Sequence, residues 1–334
     1  MGVILKLSGN MDSVFGKSEY PISQYIVQRA EAFEGKSQID NIFQVDKATG
    51  FGEKFSYETS LGDFEPVGEN GSIPENDFIE GYSKTLEYET WKDSFEVSRE
   101  MIDDANMGKI KEKSGGMMLA HHRTREKFGA KILSSGTATA MTFGAKSKSF
   151  NIAGADGLAL FSKSHPSKTG KTGVQTNLYE GSYSYENLAK IETLMQNVTD
   201  DDGNILGIMP DTIIIPNNAT VKRQVFEDLN ADGAPNSADN NGNYVAGRFN
   251  VIVWPYLTRP TSATNDQWFI LMDSEWNKTY QGLVWRNRVE LEVTSVIDDK
   301  TDANIWKGYT RFGATPNNWR PFALCVAGLS GTAL

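Results

Sequence analysis

Chemically versatile residues are scarce in this 334-residue chain. A single cysteine, Cys325, excludes an internal disulfide framework and a cysteine zinc site, and its apolar surroundings mark it as inert core. Three histidines occur. His121 and His122 are adjacent, so on a helix they point about 100° apart and cannot hold one metal ion together. His165, in the run from Phe161 to Pro166, has serines nearby, but a catalytic triad draws its members from separate elements and is recognised by geometry. There is no Gly-x-Ser-x-Gly and no Walker loop. Two Asp/Asn/Gly runs, 200–204 and 239–243, fail the calcium-loop spacing. Setting Gly203 at the loop glycine puts Val198 first, and setting Gly242 there puts Arg248 last, where Glu belongs. Both are expected to be turns and caps. No run approaches the ~18 apolar residues of a membrane span. The first ten residues are too soon interrupted for a secretory signal, and Lys6 stands where a myristoylation signal needs Ser or Thr. Synthesis inside a cell with no mark for export is expected, with no cofactor, metal or catalytic set.

What is present is ordinary in amount and unusual in arrangement. An apolar content of 39% and a charged content of 23% fit one large or two modest domains with real cores. The net charge of −10 argues against a general nucleic-acid binder and leaves room for local basic patches. Between Glu53 and Glu89, ten carboxylates face two lysines. Between Ala105 and Lys171, twelve basic residues face three acids. A solvated face is the ordinary meaning of a charge run. Here an acidic and a basic block adjoin, so copies packed side by side could lay one over the other.

The acidic block reads as a long hairpin. Its middle, 62–74, is rich in Gly, Pro, Asn and Asp, the residues of turns. Its arms, 55–59 and 82–91, alternate apolar or aromatic with polar, as half-exposed strands do. So charged a hairpin cannot bury itself in its own domain, which points to an assembly protein. Before it, 1–52 reads as an irregular arm with one helix from Ile22 to Phe33. After it come the stretch from Phe95 to Ala105, in which a helix opens at Ser98, a kink at 106–108 and a helix from about Ile110 to Ser134. That helix has a stripe at Met118, His122, Arg125 or Phe128, and Ile132. An amphipathic helix spans 184–199 (Leu188, Ile191, Leu194, Met195, Val198), with Ser184 as its N-cap. A buried strand follows at 211–216, then a helix capped by Asn217 or Asn218 and ending at Leu229. A polar loop over 230–247 lacks apolar anchors and is expected to be mobile. Further strands are predicted at 249–255, 268–273, 289–293 and 321–327. The ordering is α+β.

The return strand and helix start at Tyr82–Asp104, the run Asp156–Pro166, Gln175–Asn177, Pro210–Pro216, Tyr309–Gly313 and Trp319–Pro321 occur in an order that resembles the major capsid proteins of tailed phages with the Hong Kong 97-type fold. The chain looks most like the Mu-like major head subunit group, along about residues 40–330. The resemblance implies an N-terminal arm (1–52), an extended hairpin or E-loop (53–93), a peripheral domain (94–185 and 288–316) with a spine helix near 110–134, and an axial domain (186–287 and 317–334). It implies hexamers and pentamers in an icosahedral shell around packaged double-stranded DNA, touched without sequence preference. Portal and decoration proteins are further expected partners, with a separate scaffolding protein because no scaffold segment is seen. The expected location is the virion, with assembly in the host cytoplasm. The E-loop residues expected to meet a neighbour are Phe64, Glu65, Glu69, Ile73, Glu75, Phe78, Ile79 and Tyr82. The expected basic partner surface is Lys109, Lys111, Lys113, Arg123, Arg125, Lys127, Lys131, Lys163 and Lys168. Lys84, the lone lysine in the return strand, has no recognisable crosslink partner, so Lys–Asn chainmail is not expected. The alternatives are a nanocompartment shell of the same fold and, in a different class, a hydrolase using His165 or the 200–202 carboxylates.

Overall fold

The computed structural model describes residues 3–6, 14–58, 64, 66–69, 71–73, 75, 80–104, 107–233, 242–261, 263–329 and 331–334. The chain begins with β1 (Val3–Lys6), α1 (Val14–Glu34), the short α2 (Ile39–Ile42) and β2 (Gln44–Lys47). The helix expected from Ile22 starts eight residues earlier and runs through Pro21. Proline cannot donate to the preceding turn, which is why the sequence suggested a later start. The hairpin strands are β3 (Gly52–Glu58) and β4 (Glu80–Glu87). Next come β5 (Glu89–Val97), α3 (Arg99–Asp103) and α4 (Met107–Ser134). The helix expected to open at Ser98 is α3, and Ser98 caps it by accepting from the Met101 N–H. Phe95 and Val97 belong to β5, held there by pairing with a strand more than 200 residues away.

Two sheets organise the rest. β12 (Leu283–Asp298) and β13 (Ala303–Pro316) form a long antiparallel hairpin, with β5 added to β13's far edge. β12 is long enough for two partners on its other edge, β1 along Leu291–Thr294 and β2 along Val284–Asn287. The second sheet has the order β10-β9-β11-β14-β8-β15. Its strands are β8 (Leu178–Glu180), β9 (Thr212–Pro216), β10 (Asn250–Trp254), β11 (Phe269–Met272), β14 (Phe322–Val326) and β15 (Thr332–Ala333). β9, β11 and β14 are wholly buried, as continuous apolar runs require. α5 (Tyr185–Gln196) starts at Ser184 as expected, its hydroxyl accepting from Asn187. Asn218 caps α6 (Ala219–Asn230), which carries the chain from β9 to its parallel partner β10. β6 (Ala140–Phe143) and β7 (Lys148–Asn151) form a small hairpin, and α7 (Ser274–Thr279) a single cap-bound turn.

α4 ties the two cores together. Its first half places Ile110, Met117 and Met118 with Ile22, Ile26 and Trp306. Its second half places Phe128, Ile132 and Leu133 in the larger core. There Trp91 stacks on Phe312 (5.0 Å between centroids) and Phe128 meets Trp91 edge-on (5.4 Å). Such pairs add ~0.5–1.5 kcal/mol each beyond area burial. The buried carboxylate of Glu126 accepts from the Ser37 hydroxyl, the Gln38 N–H and the Trp254 indole, fixing α2 and β10 to the helix.

The 230–247 loop is a correction. Its second half has an apolar anchor, Val245, fully buried, and Asn243 donates to the Ala231 carbonyl (3.0 Å). Residues 234–241 lie outside the described residues.

Candidate assembly interface

Among the described residues β3 and β4 pair only with each other, Gly52 opposite Glu87 and Ser56 opposite Ser83. Their root is fastened to the first sheet. Phe55, Leu86 and Tyr88 form a small core with Ala48 and Val284. The buried guanidinium of Arg286 lies over the Phe55 ring (5.1 Å), donates to Glu53 (3.1 Å) and the Gln44 carbonyl (3.2 Å), and pairs with Asp46 at 3.6 Å. Gly313 lets β13 approach this closely, since a Cβ there meets the Glu87 carbonyl oxygen at 2.9 Å.

The return strand is fastened a second time. Lys84 donates to the Ala153 carbonyl and reaches that of Asn151 at 3.5 Å. Burial draws its ammonium down to about 8, with Asp156 opposing. Tyr82 is half-buried under the Lys168 ammonium (4.9 Å). Its phenol is pushed up by burial and by Asp201 and Asp156, with Arg320 opposing. Tyr82 and Lys168 thus meet within one chain, at the hairpin's root.

The far end of the hairpin is different. Phe64, Val67 and Ile73 are 106%, 52% and 84% exposed, and Glu69 and Glu75 are exposed beside them. Val67 was not singled out from the sequence, although its place between Pro66 and Gly68 at the turn marks it as a tip residue. Glu65, Phe78 and Ile79 lie outside the described residues.

The expected basic surface divides. Lys109, Lys111, Lys113, Arg123 and Lys127 are exposed on α4, and Lys131 is half-buried. Lys163 and Lys168 are exposed on the segment between β7 and β8, the latter at the hairpin's root. Arg125 is a correction: it is buried, donates to Asn287 (3.1 Å), and lies over the rings of Trp285 (5.0 Å) and Phe312 (5.4 Å). Burial draws it down to about 10. Position along the helix, with Phe128 on the same face, is the signal that could have found this.

The residues weighed for catalysis serve as structure. His165 is buried, with Nδ1 2.6 Å from Asp156 and Nε2 3.1 Å from the Asn177 side-chain oxygen. It stacks on Trp319 at 4.2 Å. Both ring nitrogens are engaged, so neither is open to a serine. Asp200 accepts from the N–H groups of Asp202, Gly203 and Asn204, as a loop cap does. Asp201 pairs with buried Arg320 (3.2 Å). His122 stacks on Phe33 (5.1 Å), and burial holds His121 down at about 3. Burial pushes the Cys325 thiol up to about 12, consistent with inert core.

A two-stranded hairpin projecting from a sheet laid on a long helix, with a second mixed sheet beside it, is the Hong Kong 97-type architecture of phage shell subunits. The chain is similar to the procapsid subunit of bacteriophage JBD30 (11% identity, 96% of this chain and 77% of that chain covered, TM-score 0.52). It is also similar to the capsid subunit of an empty GTA particle (9% identity, 87% and 90% covered, TM-score 0.50). A third likeness is to Gordonia phage Cozz (12% identity, 88% and 87% covered, TM-score 0.50). At these identities the likeness is one of fold. No curated protein matches the chain. Residues 83–325 match the model of the family described as phage capsid protein, and the chain belongs to that family. Its function is that of a major capsid protein, which associates with its own copies into a shell.

Proposed function

We propose that the chain is the major head subunit of a tailed phage, of the Mu-like group, forming hexamers and pentamers of an icosahedral shell that encloses double-stranded DNA. It has no catalytic activity of its own. A separate scaffolding protein, a portal and decoration proteins complete the particle, which assembles in the host cytoplasm. Residues 1–52 act as the arm, 53–93 as the E-loop, the first sheet with α4 as the peripheral domain and the second sheet as the axial domain. Two boundaries differ from those the sequence suggested. β8 is grouped with the axial domain because it pairs with β14, and the start of β12 with the peripheral domain because it continues the β12–β13 hairpin; β1 and β2 are the parts of the arm that pair with β12. The observation that carries this reading is the hairpin's contrast between a doubly fastened root and an apolar tip open to solvent. A hairpin that exposes phenylalanine, valine and isoleucine at its tip is built to be covered by another molecule. Deleting Phe64 to Ile79 tests it. The expected product is a folded subunit that fails to form stable shells by gel filtration and electron microscopy. Shells of normal thermal stability from the deletion variant contradict the clamp.

A further inference from the structure

α4 carries a line of cations that no described residue neutralises. Lys109, Lys113, Gly116, Ala120, Arg123, Lys127 and Lys131 succeed one another at spacings of three or four, so they share one helix face. Lys109, Lys113, Arg123 and Lys127 are exposed and Lys131 is half-buried. No ion pair joins any of the five to another described residue. Lys113 donates to the Glu96 carbonyl (2.7 Å), which leaves its charge in place. Of the two carboxylates on α4, Glu126 is buried and engaged, and Glu112 stands at the edge of the line.

Gly116 is an independent sign of an outside partner. It sits in the middle of the line, exposed, and a Cβ there meets nothing within 4 Å. A mid-helix glycine costs ~1 kcal/mol relative to alanine. Its neighbour Gly115 has an internal reason, because a Cβ there meets the Tyr25 ring at 3.3 Å. Gly116 has none within the described chain, so its bare backbone opens the face to something outside it.

Two polyanions could lie here, a neighbour's acidic hairpin or a nucleic acid. The hairpin's tip is apolar at Phe64, Val67 and Ile73 and needs an apolar bed, whereas this face offers only Leu119 at its margin. A duplex needs no such bed. The line from Lys109 to Lys131 is roughly 33 Å long at ~1.5 Å per residue, about one turn of B-form DNA. We propose that this face of α4 binds the phosphate backbone of double-stranded DNA without reading sequence. The inference rests on the reading of the chain as the subunit of a DNA-filled shell.

The test uses unassembled full-length chain and two labelled 30-base-pair duplexes of unrelated sequence, followed by anisotropy from 50 to 200 mM salt. Equal affinity for both duplexes is expected, with log K falling against log salt at a slope near −4.5, about 0.9 per phosphate contact for five contacts. The variant K109Q/R123Q/K127Q/K131Q should bring the slope to about −1 and bind at least tenfold more weakly at 100 mM salt. The variant K109R/K127R/K131R should keep the original slope. Unfolding curves of both variants should match the unmodified protein, as surface changes do. No binding by the unmodified chain overturns the proposal, as does an unchanged slope in the glutamine variant. So does a glutamine variant that binds duplex normally but no longer forms shells, which assigns the face to the neighbour's hairpin. If the unmodified chain forms no shells while the slopes behave as expected, the shell reading fails and the DNA face stands.

Discussion

At Arg286 one guanidinium holds together the hairpin's outgoing strand, through Glu53, and the strand beside it, through Gln44 and Asp46. It is itself buried, so truncation leaves polar groups at the root without their donor. Arg286→Ala should cost about 2–4 kcal/mol in chemical denaturation, the range for charged hydrogen bonds and broken buried pairs when one partner is partly solvated. A loss under about 0.5 kcal/mol contradicts the role, since that is the range of an uninvolved surface residue. Lys84 makes a different, pH-dependent prediction. Its folded-state value is drawn down to about 8 from an ordinary 10.5, so the folded chain loses this proton before the unfolded chain does. Between those values the unfolded state binds more protons, and stability rises with pH. The urea midpoint of the unmodified protein should therefore rise from pH 7.5 to 9.5 relative to that of Lys84→Met. Parallel profiles for the two proteins contradict the burial of a charged Lys84.

The hairpin as an element divides into a root that belongs to the subunit and a tip that does not. Phe64→Ser with Ile73→Ser should leave the unfolding curve within about 0.5 kcal/mol, because both side chains are exposed. Burying such a side chain is worth ~1.5–3 kcal/mol, so the same double change should raise the concentration needed for assembly at least tenfold. An unchanged assembly threshold, measured by light scattering, places the tip outside the contact. Charge reversal at Glu65, Glu69 and Glu75 should instead slow assembly mainly at low salt, because exposed pairs are weak and screened. Much of this element structure was legible in the sequence. The helices capped by Ser184 and Asn218 and the apolar strands β9, β11 and β14 declare themselves through local chemistry. β13 does not. Gly308 and Gly313 interrupt its alternation, because Met117 packs against one and the hairpin root crowds the other. The extension of β5 through Phe95 and Val97 was not legible for a related reason: it is fixed by long-range pairing, and its local sequence leads straight into a well-capped helix. The tip's exposure was legible from its turn residues and charge. The burial of Arg125 was legible from the helix face it shares with Phe128; the meeting of Lys168 with Tyr82 was not, because it depends on which distant elements pack together.

Across the whole molecule, charge and apolar surface are separated by purpose. The subunit carries −10 overall, with ten carboxylates between Glu53 and Glu89 and, along α4, a line of cations that no described residue pairs with. On the proposed reading the hairpin's acids steer association, its apolar tip supplies the durable contact between subunits, and the α4 cations face DNA. Individual contacts are weak and their number in a closed shell is large, so holding strength comes from repetition. Electron cryomicroscopy of the particles formed by the full-length chain tests this most directly. The account predicts closed shells in which the tip around Phe64, Val67 and Ile73 of each subunit is buried on its neighbour. A chain that stays monomeric at high concentration, across several salts and with scaffolding protein present, contradicts it, as do shells in which every tip faces solvent.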